Sequence, residues 1–289
     1  WFELIIPEKW HGLTIEQIFK DVWQAPKKLT HQLRMEKKVR LNGENANWVR
    51  PVAKKDVLQL NIFQEKDYGV MPSYMDISVL YEDEHILIVN KPPGINTHPN
   101  EQEEKDTLAN GVAFYLQAKG EQCLVKHIHR LDRDTSGALL FAKHSLVGSI
   151  LDKMLQDREI KRTYKAIVHG ILKKKKGTIA LPIGRDRHHP TKRKVSPKGQ
   201  HAATHYETVK IDKGKGLSLV KCELETGRTH QIRVHLSHIG HPIAGDKLYG
   251  RGDKDGFSRL ALHAEQLEFT HPFTGVKISC IAPFPMGKF

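Results

Sequence analysis

The chain has 289 residues, enough for about two domains of the usual ~150 residues and for a full hydrophobic core. Lys and Arg number 46 against 33 Asp and Glu, and the resulting charge of +13 points to a polyanionic partner: RNA, DNA or an anionic membrane face. The membrane is the weaker option, because mean hydropathy is −0.49 and no apolar run approaches the ~18 residues of a spanning helix. Cys123, Cys222 and Cys280 are odd in number and far apart, so neither a disulfide framework nor a zinc knuckle is written here, and a reducing, cytosolic setting fits. Neither a Walker loop nor a nucleotide-binding GxGxxG occurs. The first ten residues show no signal-peptide pattern, and the missing initiator Met reads as a trimmed or processed start.

In chain order, Thr14-Ile15-Glu16-Gln17 is a capping-box pattern, and Ile15, Ile18, Phe19, Val22 and Trp23 then share one helical face. Pro26 breaks that helix. A basic second helix is expected from about Lys27 to Lys38, with Leu29 and Leu33 inward. Val39-Arg40-Leu41-Asn42-Gly43 is a short strand ending in the pair that favours a tight hairpin. Val57 to Ile62 alternates, with Leu58, Leu60 and Ile62 on one side. This order of elements resembles an S4-type RNA-binding domain over roughly residues 10–62, with Gly12-Leu13-Thr14 where that family usually opens Arg-Leu-Asp. A generic α+β module with a solvated basic helix remains the alternative. The polar stretch from Gln64 to Asp76, with Gly69 and Pro72, reads as a linker.

The larger segment opens with Ile86-Leu87-Ile88-Val89, a buried-strand run that stops at Lys91-Pro92-Pro93-Gly94. A strand at Ala138 to Ala142 leads into a helix that Ser145 can cap, and Thr163 to His169 and Leu217 to Leu224 read as further strands. Without a regular βαβ beat, a mixed, mostly antiparallel central sheet is expected: an α+β fold. Two stretches are strongly basic. Lys173 to Lys176 reads equally as a solvated face or a contact. Arg185 to Lys198, with Lys192, Arg193 and Lys194 at its centre, looks like a protruding hairpin aimed at phosphates.

Chemistry concentrates in two places. In His129-Arg130-Leu131-Asp132-Arg133-Asp134-Thr135-Ser136-Gly137, two carboxylates lie among arginines directly before an apolar strand. That is a place to hold a carboxylate against a substrate, and also a place for a surface turn with locally paired charges. In Thr226 to Leu236, Gly227 makes a turn, Thr229 can cap, and Ile232, Leu236 and Ile239 form a helical stripe that Gly240 ends. Arg233 lies one residue from the stripe, placed to reach a buried partner. Histidines 230, 235, 238 and 241 invite a metal reading, but no compact set with a carboxylate at ligand spacing accompanies them.

"HRLDRDTSG", "KRTYKAIVHG" and "GRTHQIRVHLSHIGHPIAGDKLYG", preceded by "VLYEDEHILIVNKPPGINTHP", resemble in order the motifs of the RluA/RluD-type pseudouridine synthases, over about residues 77–289. The resemblance implies the pseudouridine synthase fold and an enzyme that isomerises uridine in RNA without cofactor or metal. It implies Asp132 as the catalytic carboxylate and Arg130 as the side chain that enters the RNA when the nucleotide leaves its stack. It further implies that Tyr164 packs on the flipped uracil, with a part in removing a proton, and that Arg233 pairs with Asp132, Arg228 being the rival. With the basic loop, the expected substrate contacts are Arg130, Tyr164, Lys192, Arg193 and Lys194. The expected organisation is an S4-like domain over 1–63, a linker over 64–76 and a catalytic domain over 77–289. A cytoplasmic monomer is expected, acting on RNA and not on a membrane, with 23S rRNA ahead of tRNA as substrate. The alternatives are a non-catalytic ribosome-assembly factor on the same fold and a metal-dependent RNA hydrolase.

Overall fold

The computed structural model describes residues 1–63, 67–101, 103–250 and 256–285. The N-terminal part runs β1 (Phe2–Ile5), α1 (Ile15–Gln17) continuing as a π-helical turn over Ile18–Val22, α2 (Lys27–Met35), β2 (Val39–Leu41), β3 (Glu44–Asn45) and β4 (Val57–Leu60). The Thr14 hydroxyl accepts from the Gln17 N–H while the Gln17 side chain accepts from the Thr14 N–H, a reciprocal cap. Ile15, Ile18, Phe19 and Trp23 are buried, but Val22 is exposed, because the wider π turn shifts the phase of the face. α2 stops at Met35, short of the expected Lys38, where Lys37 turns left-handed (φ 52°). Asn42 and Gly43, both at positive φ, close the β2–β3 hairpin, and the four strands order as β1-β4-β2-β3.

The larger part comprises β5 (Val79–Glu82), β6 (Ile86–Lys91), α3 (Leu108–Ala118), β7 (Lys126–His127), β8 (Ser136–Ala142), α4 (Ser145–Gln156), β9 (Lys161–His169), β10 (Lys176–Ala180), β11 (Ile183–Arg185), β12 (Arg193–Val195), β13 (Ala203–Asp212), β14 (Leu217–Leu224), α5 (Gln231–His238), β15 (Leu262–Thr270) and β16 (Lys277–Ile281). The main sheet orders as β10-β13-β14-β9-β15-β8-β6-β5, with β16 on β15 and β7 on β8. Among the described residues only the β15–β8 pair is parallel, so the fold is α+β with a mixed, mostly antiparallel sheet. Gly137 lies at that parallel junction with φ +116°, and a Cβ there would run into the Ala264 backbone. Only glycine lets β8 approach β15 this closely.

Two caps differ from expectation. His144, not Ser145, caps α4: its Nδ1 accepts from the Val147 N–H at 3.2 Å. At α5 the cap position is His230, left-handed at φ 59° with no side-chain cap, and the turn is closed instead by Gln231, whose Oε1 accepts from the Thr226 hydroxyl and the Arg228 N–H. α3 was absent from the expected elements because Asn110 and Gly111 interrupt its apolar pattern. Both positions are contacts: Asn110 donates to the Met71 carbonyl, and Gly111 packs against Met75 and Ile77.

Residues 64–66 of the expected linker and residues 102, 251–255 and 286–289 of the expected catalytic domain lie outside the described residues. From Asp67 onward the segment is fixed to the larger part: the Tyr68 carbonyl accepts from Val125, and Ser73 donates to the Asn110 carbonyl. The N-terminal part is fixed too. Its buried Ile6, Trp10, Ile18, Phe19 and Trp23 belong to the same apolar cluster as Ile86, Ile88, Leu140, Val147 and Phe273. Phe2 and Trp23 meet the Phe273 ring at centroid distances of 5.1 and 5.5 Å.

Candidate active site

The loop before β8 is anchored by the segment that leaves β6. Lys91 is fully buried and its ammonium donates to the carbonyls of Pro92 (3.0 Å), Arg133 (2.8 Å) and Thr135 (2.9 Å). Thr97 Oγ1 donates to the Leu131 carbonyl and accepts from the Leu131 N–H, and Gly94 N–H donates to the Arg133 carbonyl. Asp132 is therefore the partly exposed tip of a loop tied down on both sides. Burial pushes Lys91 down to about 7. Three carbonyl acceptors need three N–H groups, which only the ammonium supplies, so it is the charged form that holds the loop.

Opposite this loop, α5 presents Arg233, buried and charged. Its Nε and Nη2 form a bidentate fork with Asp246 (2.8 and 2.9 Å), and its remaining Nη1 reaches Asp132 Oδ2 at 3.3 Å. The fork fixes the guanidinium plane and leaves one edge for Asp132. Burial by itself would lower the Arg233 pKa; the two carboxylates outweigh it and raise the value. Burial likewise works to raise the Asp246 carboxyl, but the Arg233 contacts and the N–H groups of Tyr249 and Leu248 hold it below its usual range. Arg228, the rival partner, points elsewhere, with its Nε donating to the His201 carbonyl.

Tyr164 comes from β9, is 4% exposed and faces the same space. Burial, then the charge of Asp132, raises its phenol pKa, and the opposing Arg162 does not cancel this, so the ring is held as a neutral phenol. A cavity of about 680 Å³ holds Arg130, Asp132, Tyr164 and Arg233 in its wall. A second, of about 570 Å³, shares Arg130, Asp132 and Arg233 with it and continues toward Thr191. Asp132 therefore stands between two connected spaces, with the exposed Arg130 at their common edge.

The basic stretch is a hairpin of β11 and β12, paired Ile183↔Val195 to Arg185↔Arg193. Tyr249 ties it to the site. Its hydroxyl accepts from the Arg193 N–H at 2.7 Å and lies 2.9 Å from His230 Nδ1; its ring lies 5.1 Å from the Arg233 guanidinium and 5.4 Å from Lys192 Nζ. Burial pushes Tyr249 up to about 12, so the phenol keeps its proton. Lys192 and Arg193 thus stand beside the site, while Lys194 is exposed and pairs with Asp186 at 3.4 Å. Lys173 to Lys176 lie away from it, after the far end of β9.

The sequence reading missed Asp246, Lys91 and Tyr249 as site residues. The signals were present in "AGDKLYG" and "NKPPG". A carboxylate directly after a glycine at φ +71° (Gly245) and a lysine closing a buried strand are both unusual placements.

A partly exposed carboxylate held by an arginine, in one cavity with a buried tyrosine and several cations, suits an enzyme acting on one nucleotide of a polyanion. Comparison with known proteins makes the class specific. Residues 85–238 match the family model described as RNA pseudouridylate synthase, and residues 2–58 match the RluD ribosomal pseudouridine synthase N-terminal domain. The chain belongs to the RNA pseudouridine synthases and is an enzyme of the RluD type. It is 47% identical to the RNA pseudouridine synthase YhcT of Bacillus subtilis (strain 168), over 98% of this chain and 93% of that one. It is 36% identical to the ribosomal large subunit pseudouridine synthase D of Nitrosomonas europaea, over 98% and 84%. Among solved structures, human RNA pseudouridylate synthase domain containing 1 superposes with a TM-score of 0.61 at 26% identity, covering 74% of this chain and 85% of that one.

Proposed function

We propose that the chain isomerises uridine to pseudouridine in large-subunit ribosomal RNA, with Asp132 as the catalytic carboxylate. The observation that carries this is the placement of Asp132 on an anchored loop, between two cavities and in contact with Arg233, whose other edge is locked on Asp246. The reaction breaks N1–C1′, turns the base over and joins C5 to C1′; C5 gives up its proton and N1 takes one, so no electrons or groups are exchanged. Asp132 acts on the ribose, as nucleophile at C1′ or as base at C2′. Flipping the nucleotide costs a few kcal/mol, which packing on Tyr164 and insertion of Arg130 into the vacated stack offset. As a neutral phenol, Tyr164 serves the base first by packing. Lys192 and Arg193 hold phosphates beside the cleft, with Lys194 further out on the same hairpin. The ribosomal substrate is supported by the relatives named for the large subunit and by the N-terminal part, read as an S4-like second grip on structured RNA over residues 1–63.

The test is tritium release from large-subunit rRNA labelled at uracil C5, with tRNA as the comparison substrate. Wild type is expected to release label from the rRNA, with or without EDTA. Asp132→Asn is expected to release none while binding RNA with a Kd within about threefold of wild type, because the change removes only a charge at a partly exposed position. Turnover retained by Asp132→Asn would move the catalytic role elsewhere, and release from tRNA alone would move the substrate.

A further inference from the structure

Arg162 is the buried cation of the cleft to which the reaction described so far gives no work. It lies on β9 two positions before Tyr164, and the two-residue period of a strand puts both side chains on one face, roughly 6.6 Å apart along the strand. Arg162 is 8% exposed and lines the same cavity as Asp132 and Tyr164. Its Nη1 occupies the space left by the missing side chain of Gly227, only 2.9 Å from where a Cβ would stand. Any larger residue at 227 would displace it.

What distinguishes Arg162 from Arg233 is the absence of a counter-charge. Arg233 is buried against two carboxylates. Among the described residues no carboxylate lies within ion-pair distance of Arg162, and its Nε is buried with no protein acceptor. A buried guanidinium left in that condition is costly, so the fold retains it at the expense of its own stability. Nearby Arg158 does not share the condition: it is paired with Glu225 at 2.7 Å on the cavity rim.

The adjoining wall carries a second donor of the same kind. His129 is 5% exposed, and its Nε2 accepts from the Leu140 N–H at 3.4 Å. The ring is neutral, because burial and then the charge of Arg162 push it down to about 3, so its proton sits on Nδ1. That Nδ1 is also buried without a protein acceptor. The wall therefore offers the fixed charge of Arg162 to a ligand with a negative charge, while the His129 Nδ1–H lies covered behind it. Uridine is uncharged. The full negative charges that a flipped nucleotide brings with it are on its flanking phosphates.

We propose that Arg162 binds a phosphate flanking the uridine that packs on Tyr164. Base and backbone of the target nucleotide are then gripped from neighbouring positions of one strand. The proposal rests on the synthase reading for the identity of the nucleotide, and its binding role is measurable apart from turnover.

The experiment compares wild type, Arg162→Met and Arg162→Lys on transcribed large-subunit rRNA, measuring Kd across a salt series together with kcat and KM. Arg162→Met is expected to raise KM and Kd by about 10- to 100-fold with kcat near wild type, and to flatten the slope of log Kd against log salt by ~0.7–0.9, the share of one phosphate. Arg162→Lys is expected to recover the slope, since it keeps the charge. In a stem-loop spanning the uridine that turnover identifies, a neutral methylphosphonate at one flanking phosphate should weaken wild-type binding and leave Arg162→Met unaffected. The wild-type half of that arm uses the unaltered chain, and a methylphosphonate that leaves wild-type binding unchanged at both flanking positions overturns the proposal even if Arg162→Met folds poorly. An unchanged salt slope overturns the proposal. So does a fall in kcat at constant KM, which would assign the guanidinium to the departing base instead. Absence of turnover by wild type would count against the synthase reading, and the salt slopes would still decide Arg162.

Discussion

Arg233 shows how much a single side chain here depends on its neighbours. A guanidinium reaching only Asp132 would be free to swing; the Asp246 fork removes that freedom and aims one N–H at the carboxylate. Asp246→Asn, which removes the charge that balances a buried arginine, is expected to lower thermal stability by ~3 kcal/mol or more and kcat by on the order of 100-fold, with RNA affinity little changed. Thermal unfolding and single-turnover kinetics check this together. Lys91 fixes the other side of the contact. Its ammonium is lost as pH rises through about 7, taking one of three anchoring N–H groups with it. The pH profile of kcat should therefore fall on its alkaline side. Lys91→Met should be slower by roughly 10- to 100-fold and lack that limb, because the loop carrying Asp132 is then loose at every pH.

At the scale of elements, the β11–β12 hairpin is docked by Tyr249, not free in solvent. The Arg193 backbone and the Lys192 ammonium both engage that tyrosine, which itself packs against Arg233. The hairpin therefore holds its lysines and arginine in a set position beside the cleft. Replacing Lys192, Arg193 and Lys194 with glutamine is expected to flatten the slope of log Kd against log salt by roughly 2, with kcat at saturating RNA close to wild type. A slope unchanged within error would place this hairpin away from RNA. α4 is a second element whose placement matters. One end, at Ser145 and Leu146, adjoins Leu29 and Leu33 of the N-terminal part, and the other, at Leu155 and Gln156, reaches the active-site cavity.

Over the whole molecule, the N-terminal part and the catalytic part share one apolar cluster, and a chain of histidines runs through their junction. His144 Nδ1 accepts from Val147, so its proton is on Nε2, which donates to His85 Nδ1 at 3.0 Å; Phe2 and Phe63 pack on the His85 ring. Protonating either ring would set one N–H against another. Burial accordingly pushes His85 down to about 4 and His144 to about 3. In the unfolded chain both take up protons below about 6.5. Their contribution to stability is thus complete above pH ~6.5 and is lost as pH falls toward the folded values, by roughly 2 kcal/mol per ring at pH 5. Thermal unfolding of Lys91→Met, in which the buried lysine no longer titrates, should be flat from pH 8 to 7 and drop between 6.5 and 5. His144→Asn, which keeps a capping side chain but cannot titrate, should show a shallower drop.

The sequence by itself determined the local elements and the family. The Thr14 capping box, the Asn42-Gly43 turn, the apolar run before Lys91 and the helix ended by Gly240 are short-range physics and were legible as written. The ordered motifs carried the class of enzyme, and the polyanionic partner followed from the net charge of +13. The tertiary structure brings Arg233, the partner that the resemblance ranked ahead of Arg228, to Asp132 from α5 and turns Arg228, in the preceding turn, to the His201 carbonyl. It alone brought in Asp246, Lys91 and Tyr249, left Arg162 without a counter-charge among the described residues, and joined apolar residues of the N-terminal and catalytic parts in one cluster. The reason is physical. Helix caps and turns are satisfied within a few residues. A buried charge or an apolar face is satisfied by whatever the fold brings to it, as Arg233 is by Asp132, 101 positions away along the chain.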